Sequence, residues 1–109
     1  MNGELDKLIQ FTAEHFVFDE NAYPELAGVT DEEKLKFALR HSALHFAKTA
    51  GKIAALVEGM DHGKKLDTEE IKANIPKELI NTLRLAELVD MTEADIIRAI
   101  EEKYNDRLN

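Results

Sequence analysis

The chain has 109 residues, 44% hydrophobic and 33% charged, with no cysteine, no tryptophan and a formal net charge of −8. That size predicts one domain with a modest core. The composition excludes a disordered chain, a disulfide scaffold, thiolate metal sites and cysteine nucleophiles. The acidic balance and the scarcity of aromatic residues argue against non-specific nucleic-acid binding, and no apolar run reaches the roughly 20 residues of a membrane span. The first residues have neither a basic flank nor an apolar signal core, so a cytoplasmic protein is expected.

The charge is unevenly placed. Residues 1–33 carry nine acids and one base, Lys7, whereas residues 34–57 hold Lys34, Lys36, Arg40, Lys48 and Lys52 and no acid. Either the acidic segment packs against the basic one, as a lid would, or part of the basic stretch faces an anion.

The predicted elements are all helical. The first helix spans about Gly3 to Phe16, with Leu5, Leu8, Ile9, Thr12 and Phe16 on one face. Residues 17–29 (VFDENAYPELAGV) form a loop broken by Pro24 and Gly28. Thr30 and Glu33 make a capping-box pair opening a long helix that continues to about Met60. Along it Leu39, Ala43, Phe46, Ala50, Ile53, Val57 and Met60 alternate four and three residues apart, the seam of a helix lying nearly parallel or antiparallel to a neighbour. Leu44, Ala47, Gly51 and Ala54 form a second, small-residue stripe, so this helix is expected at the centre of a bundle or shared with a second subunit.

Residues 59–66 (GMDHGKKL) read as a turn, and Asp67 with Glu70 caps a third helix. Pro76 is expected to kink or restart it. Leu79, Ile80, Leu83, Ala86 and Val89 continue the pattern to about Asp90, and Thr92 with Asp95 caps a last helix with Ile96, Ile97, Ile100 and Tyr104 on its apolar face. The expected architecture is a single all-α domain, residues 1–109, folded as a compact bundle of about four helices and assembled as a helical dimer. Residues 1–29 are its acidic N-terminal helix and loop, and residues 30–109 its helical core.

On the long helix His41, His45, Lys48 and Lys52 recur on one face, with Thr49 beside them. They form either a solvated face or the wall of a cleft. His41 and His45, four residues apart, have a spacing that can chelate a transition metal, with His62 a further ligand if the turn folds back. The residues between them do not make the H-E-x-x-H of a metalloprotease, and neighbouring lysines disfavour a cation. No Gly-rich phosphate loop or G-x-S-x-G occurs, and Ser42, the single serine, has no sequence cue to a triad. Residues 67–104 are too close to neutral for a helix-turn-helix to grip a nucleic-acid backbone.

Residues 45–59 (HFAKTAGKIAALVEG) resemble the central helix of the MazG-like all-α nucleoside triphosphate pyrophosphohydrolases. Residues 83–92 (LRLAELVDMT) and 99–104 (AIEEKY) resemble that family's third helix, turn and last helix, so the similarity spans roughly residues 35–107. The resemblance implies a helical bundle built into oligomers. In the family an E-E-x-x-E motif on the central helix and an E-x-x-D motif on the next hold Mg²⁺ for cleavage between the α and β phosphates. Here those positions fall on Lys48, Thr49 and Lys52, and on Asn74 and Lys77, so no carboxylate is kept.

Mg²⁺ needs hard oxygen ligands, so metal-dependent hydrolysis by the family mechanism is not expected. A cleft lined by Lys48, Thr49, Lys52, Asn74 and Lys77, with His41 and His45 nearby, would instead hold a nucleotide or other phosphate-bearing anion without a metal cofactor. Two alternatives stay open: an active pyrophosphohydrolase with atypical ligands, which would use Mg²⁺, and a purely structural dimerisation module or one that binds a protein partner.

Overall fold

The computed structural model describes residues 3–105 and 107–108. Four α-helices follow one another: α1 (Glu4–His15), α2 (Asp31–Asp61), α3 (Thr68–Leu88) and α4 (Glu93–Tyr104). A single 3₁₀ turn at Pro24–Leu26 punctuates the loop before α2, and no strand occurs among the described residues. No helix among them is long and apolar enough to cross a membrane.

The caps lie where the sequence places them. The Thr30 hydroxyl accepts from the Glu33 amide and the Asp67 carboxylate from the Glu70 amide, each satisfying an otherwise orphaned donor. At Thr92 and Asp95 the exchange is reciprocal, a complete capping box. The α2–α3 turn closes on Gly63 at φ +80°, where the Lys64 amide reaches back to the Gly59 carbonyl. α3 ends the same way with Asp90 at φ +60°: the Met91 amide reaches the Ala86 carbonyl, so a left-handed residue other than glycine sets the exit toward α4.

Four expectations are corrected. α3 does not restart at Pro76 but runs unbroken through it. Pro76 and Lys72, whose carbonyl loses its usual donor, are both exposed, so water can satisfy that carbonyl. The central helix is α3 rather than α2, because α3 is packed by α2 and by α1. α2 also meets α3 along a stripe other than the predicted seam. Ala38, Ser42 and Thr49 are the buried residues of α2, while Phe46, Val57 and Met60 of the seam remain exposed. Nor does Gly51 admit a close neighbour, since a methyl group there would touch nothing within 4 Å.

The resulting core is small and partly polar. Ile9, Leu26, Ala38, Leu83 and Ala86 are buried alongside Thr12, Ser42, Asn74 and Asn81. α1 and α4 are tied at their N-termini by an exchange the sequence does not show. The Leu5 amide donates to Glu93 Oε1 at 3.0 Å, and the Glu93 amide donates to Asp6 Oδ1 at 2.8 Å. Each helix start thus receives a carboxylate from the other, which suits both the orphan amides and the helix dipoles.

Candidate functional site, a basic groove between α2 and α3

α2 and α3 fold back on each other, and Asn81 sets their register. Its Nδ2 lies 3.2 Å from the His45 carbonyl, 3.1 Å from Thr49 Oγ1 and 3.2 Å from Glu78 Oε1. A buried amide satisfied by the facing helix resists sliding, because any shift would strand it without a partner.

Beside this contact runs a groove of about 540 Å³. α2 lines it with His45, Lys48, Thr49 and Lys52, and α3 with Ala73, Pro76, Lys77, Ile80 and Asn81. α1 supplies Phe11 and Phe16, both partly exposed. Lys48, Lys52 and Lys77 therefore line one groove, and no carboxylate lines it. None of the three is in an ion pair among the described residues, where the pairs all join residues three or four apart. No ion pair among them joins α1 to the basic stretch, so the acidic N-terminal segment does not neutralise these lysines by direct pairing.

The other expected residues are placed differently. Thr49 is buried, its hydroxyl taken by Asn81. Asn74 is also buried, with its Nδ2 donating to the Glu70 carbonyl at 2.8 Å, and it lines a second hollow of about 370 Å³ that shares Lys52. Lys64 and Lys65 line that hollow too, extending the basic surface toward the turn. Only the Lys64–Lys65 dipeptide hinted at them in the sequence. The roles of Phe11 and Phe16 had no local signal, since the packing of α1 on α3 is a long-range event.

His41 sits outside the groove, wedged in an aromatic cluster. Its ring stacks on Phe37 with centroids 5.8 Å apart and meets Phe18 and Tyr23 edge-on at 5.7 and 5.2 Å. Its Nε2 lies 3.3 Å from the Tyr23 hydroxyl and 3.1 Å from His45 Nε2. His62 pairs instead with Glu58, one turn earlier near the C-terminus of α2, so the third ligand expected for a histidine metal site is not brought to His41 and His45. No cluster of three metal-ligating His, Cys, Asp or Glu side chains occurs among the described residues.

Behind the cluster Arg84 is buried, its guanidinium 4.3 Å from the Phe16 ring centre and 4.9 Å from that of Phe18. Two aromatic faces thus stabilise a cation that has no salt bridge among the described residues, and its Nε has no partner. The arginine pins both ends of the segment between α1 and the loop.

Burial holds the His41 imidazole below the ordinary histidine pKa, and the charges of His45 and Arg84 act in the same direction while Glu25 opposes them. The fold therefore favours neutral His41, whereas the unfolded chain takes up a proton near 6.5. In that window the unfolded state binds more protons, so stability falls as the pH drops through 6.5 toward the depressed value. The melting temperature is expected to fall between about pH 7.5 and about pH 6, and His41→Phe to flatten that slope. Thermal denaturation across the range checks this, and an unchanged slope in the variant would refute it.

The donor set does not fit Mg²⁺. A hard cation needs several oxygen ligands, and the groove offers three ammonium groups and an imidazole around one occupied hydroxyl and one occupied amide.

No known family model, curated protein or solved structure matches the chain.

Proposed function

We propose that this chain is a divergent MazG-like protein that does not carry out metal-dependent pyrophosphohydrolysis and instead binds a phosphate-bearing anion, a nucleotide, in the groove between α2 and α3. In this reading it is a cytoplasmic homodimer. The observation that carries it is the convergence of Lys48, Lys52 and Lys77 on one groove lined by no carboxylate. Three cations lining one groove repel one another, and an anion relieves that repulsion. Lysine ammonium groups hold phosphate oxygens as point charges without needing a metal. Phe11 and Phe16 add apolar ring surface in the same groove, suited to a planar base.

The test is thermal denaturation against nucleoside mono-, di- and triphosphates, each with Mg²⁺ and with chelator. A ligand at 100 times its dissociation constant stabilises by roughly 2.7 kcal/mol, several degrees for a domain this size. The expected result is a shift that persists in chelator. A shift that requires Mg²⁺ would instead point to an active pyrophosphohydrolase with other ligands, and hydrolysis would be assayed. No shift with any nucleotide would overturn the reading in favour of a structural module.

A further inference from the structure

We propose that the groove continues into the second hollow, and that the two together bind a linear phosphate chain longer than that of a nucleoside triphosphate. This rests on the anion-binding reading above and adds the class of anion.

The register of the helices joins the two sites. On α2 the groove is lined by His45, Lys48 and Lys52, and the hollow by Lys52, Leu56 and Gly59. These residues recur three or four apart, so they share one face of the helix. On α3 the facing residues are Asn81 and Lys77 in the groove and Asn74 and Glu70 in the hollow, again three or four apart. Because the helices fold back on each other, the hollow follows the groove along one interface, with Lys52 at the junction. From His45 to Gly59 this face runs about 21 Å at the helical rise.

The turn after α2 closes the far end of the track. The His62 and Lys64 amides both reach the Gly59 carbonyl, at 3.1 and 2.9 Å. A methyl group on Gly59 would lie 3.6 Å from Lys64 Cβ, so the turn rests against the last turn of α2. Lys64 and Lys65 therefore stand over the hollow rather than trailing away from it.

The track holds five lysines, Lys48, Lys52, Lys77, Lys64 and Lys65, against a single acid, Glu70. None of the five is in an ion pair among the described residues. A triphosphate matches the three lysines of the groove and leaves Lys64 and Lys65 without an anion. Further phosphates on the same chain would meet them. Asn74, only 1% exposed, lines the hollow and has two Nδ2 hydrogens. One goes to the Glu70 carbonyl, which leaves the other for a phosphate oxygen.

The aromatic end sets the direction. The Phe16 ring lies 4.3 Å from the guanidinium of Arg84, three residues beyond Asn81, so it marks the His45 end of the groove. A phosphate chain leaving that end runs past Lys48 and Lys52 toward the turn. No aromatic residue lines the hollow, so nothing there stacks the successive bases of an oligonucleotide, and a bare phosphate chain is the better match.

Titration calorimetry of the full chain, in chelator and at fixed salt, tests this with two pairs of probes. One pair is inorganic tripolyphosphate and a longer linear polyphosphate; the other is adenosine triphosphate and adenosine tetraphosphate. Two further exposed lysine contacts predict that the longer member of a pair binds on the order of tenfold more tightly. A gain in the inorganic pair assigns the site to free polyphosphate, and a gain in the adenosine pair alone to a nucleoside-capped chain. Lys64→Gln with Lys65→Gln is expected to abolish the gain while leaving triphosphate affinity within about twofold, which also reports that the variant is folded. Equal affinity within both pairs would overturn the inference and leave the anion-binding reading standing. A gain that survives in the variant would overturn it too, as would a single-stranded oligonucleotide binding as tightly as polyphosphate. Failure of every probe to bind would overturn both readings.

Discussion

Reversing charge at Lys48 and Lys52 together is expected to weaken nucleotide binding by roughly 100-fold, about 2.8 kcal/mol at 1.4 kcal/mol per tenfold. Both side chains are exposed, so solvent screening keeps each phosphate contact near the lower end of charged interactions, about 1 kcal/mol. Each Lys→Glu change removes that attraction and sets a carboxylate against the phosphate, so the two losses combine with a new repulsion. The fold should tolerate the change, since neither lysine has an ion-pair partner among the described residues and residues 34–57 contain no other acid. Titration calorimetry with a nucleoside triphosphate in chelator measures the effect. Lys72→Glu serves as the control, because Lys72 lies outside the groove beside Glu69. Wild-type binding should also weaken as salt rises. Unchanged affinity in the double variant would remove the groove from consideration.

Leu83→Ala is expected to cost about 3–4 kcal/mol of folding stability. Leu83 is only 2% exposed and is the largest of the fully buried side chains on the central helix α3. Truncation there removes apolar contact and leaves a cavity that straight, packed helices cannot collapse to fill. A domain of this size has a total of roughly 5–15 kcal/mol, so the loss is a large fraction of it. At 4–8 °C per kcal/mol the melting temperature should fall by about 15 °C or more. Denaturation of wild type and variant at equal concentration checks the effect, because assembly would otherwise shift both midpoints. A loss below about 1 kcal/mol would mean that α3 is not the core helix.

Local signals were legible wherever a local cause sufficed. Thr30, Asp67 and Thr92 start their helices because a side-chain oxygen three residues from an orphan amide needs no distant partner. At Pro76 the helix does not restart, because the packing that holds α3 on both flanks outweighs the loss of one backbone hydrogen bond. The α2 seam departs from expectation in a different way. Apolar spacing marks a face that packs on some helix, yet α2 buries Ala38, Ser42 and Thr49 instead, and Thr49 meets Asn81 of α3. Thr49, expected beside a phosphate, is instead a hydrogen-bond partner of Asn81. Helical spacing, by contrast, puts Lys48 and Lys52 on one face of α2, whereas the arrival of Lys77 beside them depends on how α3 folds back.

By itself the sequence determined the all-helical class, the helix starts, the division between acidic and basic segments, and the absence of any acid from residues 34–57. Each of these depends on residues a turn or less apart, or on composition. Tertiary structure alone decided that α3 is central and that Phe11 and Phe16 reach the lysines. It also decided that Arg84 rests between two aromatic rings, and that Glu93 and Asp6 exchange caps across 87 residues of sequence. Those outcomes depend on which of several apolar stripes wins a partner. That choice is settled by summed burial and by the need of buried polar groups such as Asn81 for partners, neither of which has a period that can be read along the chain.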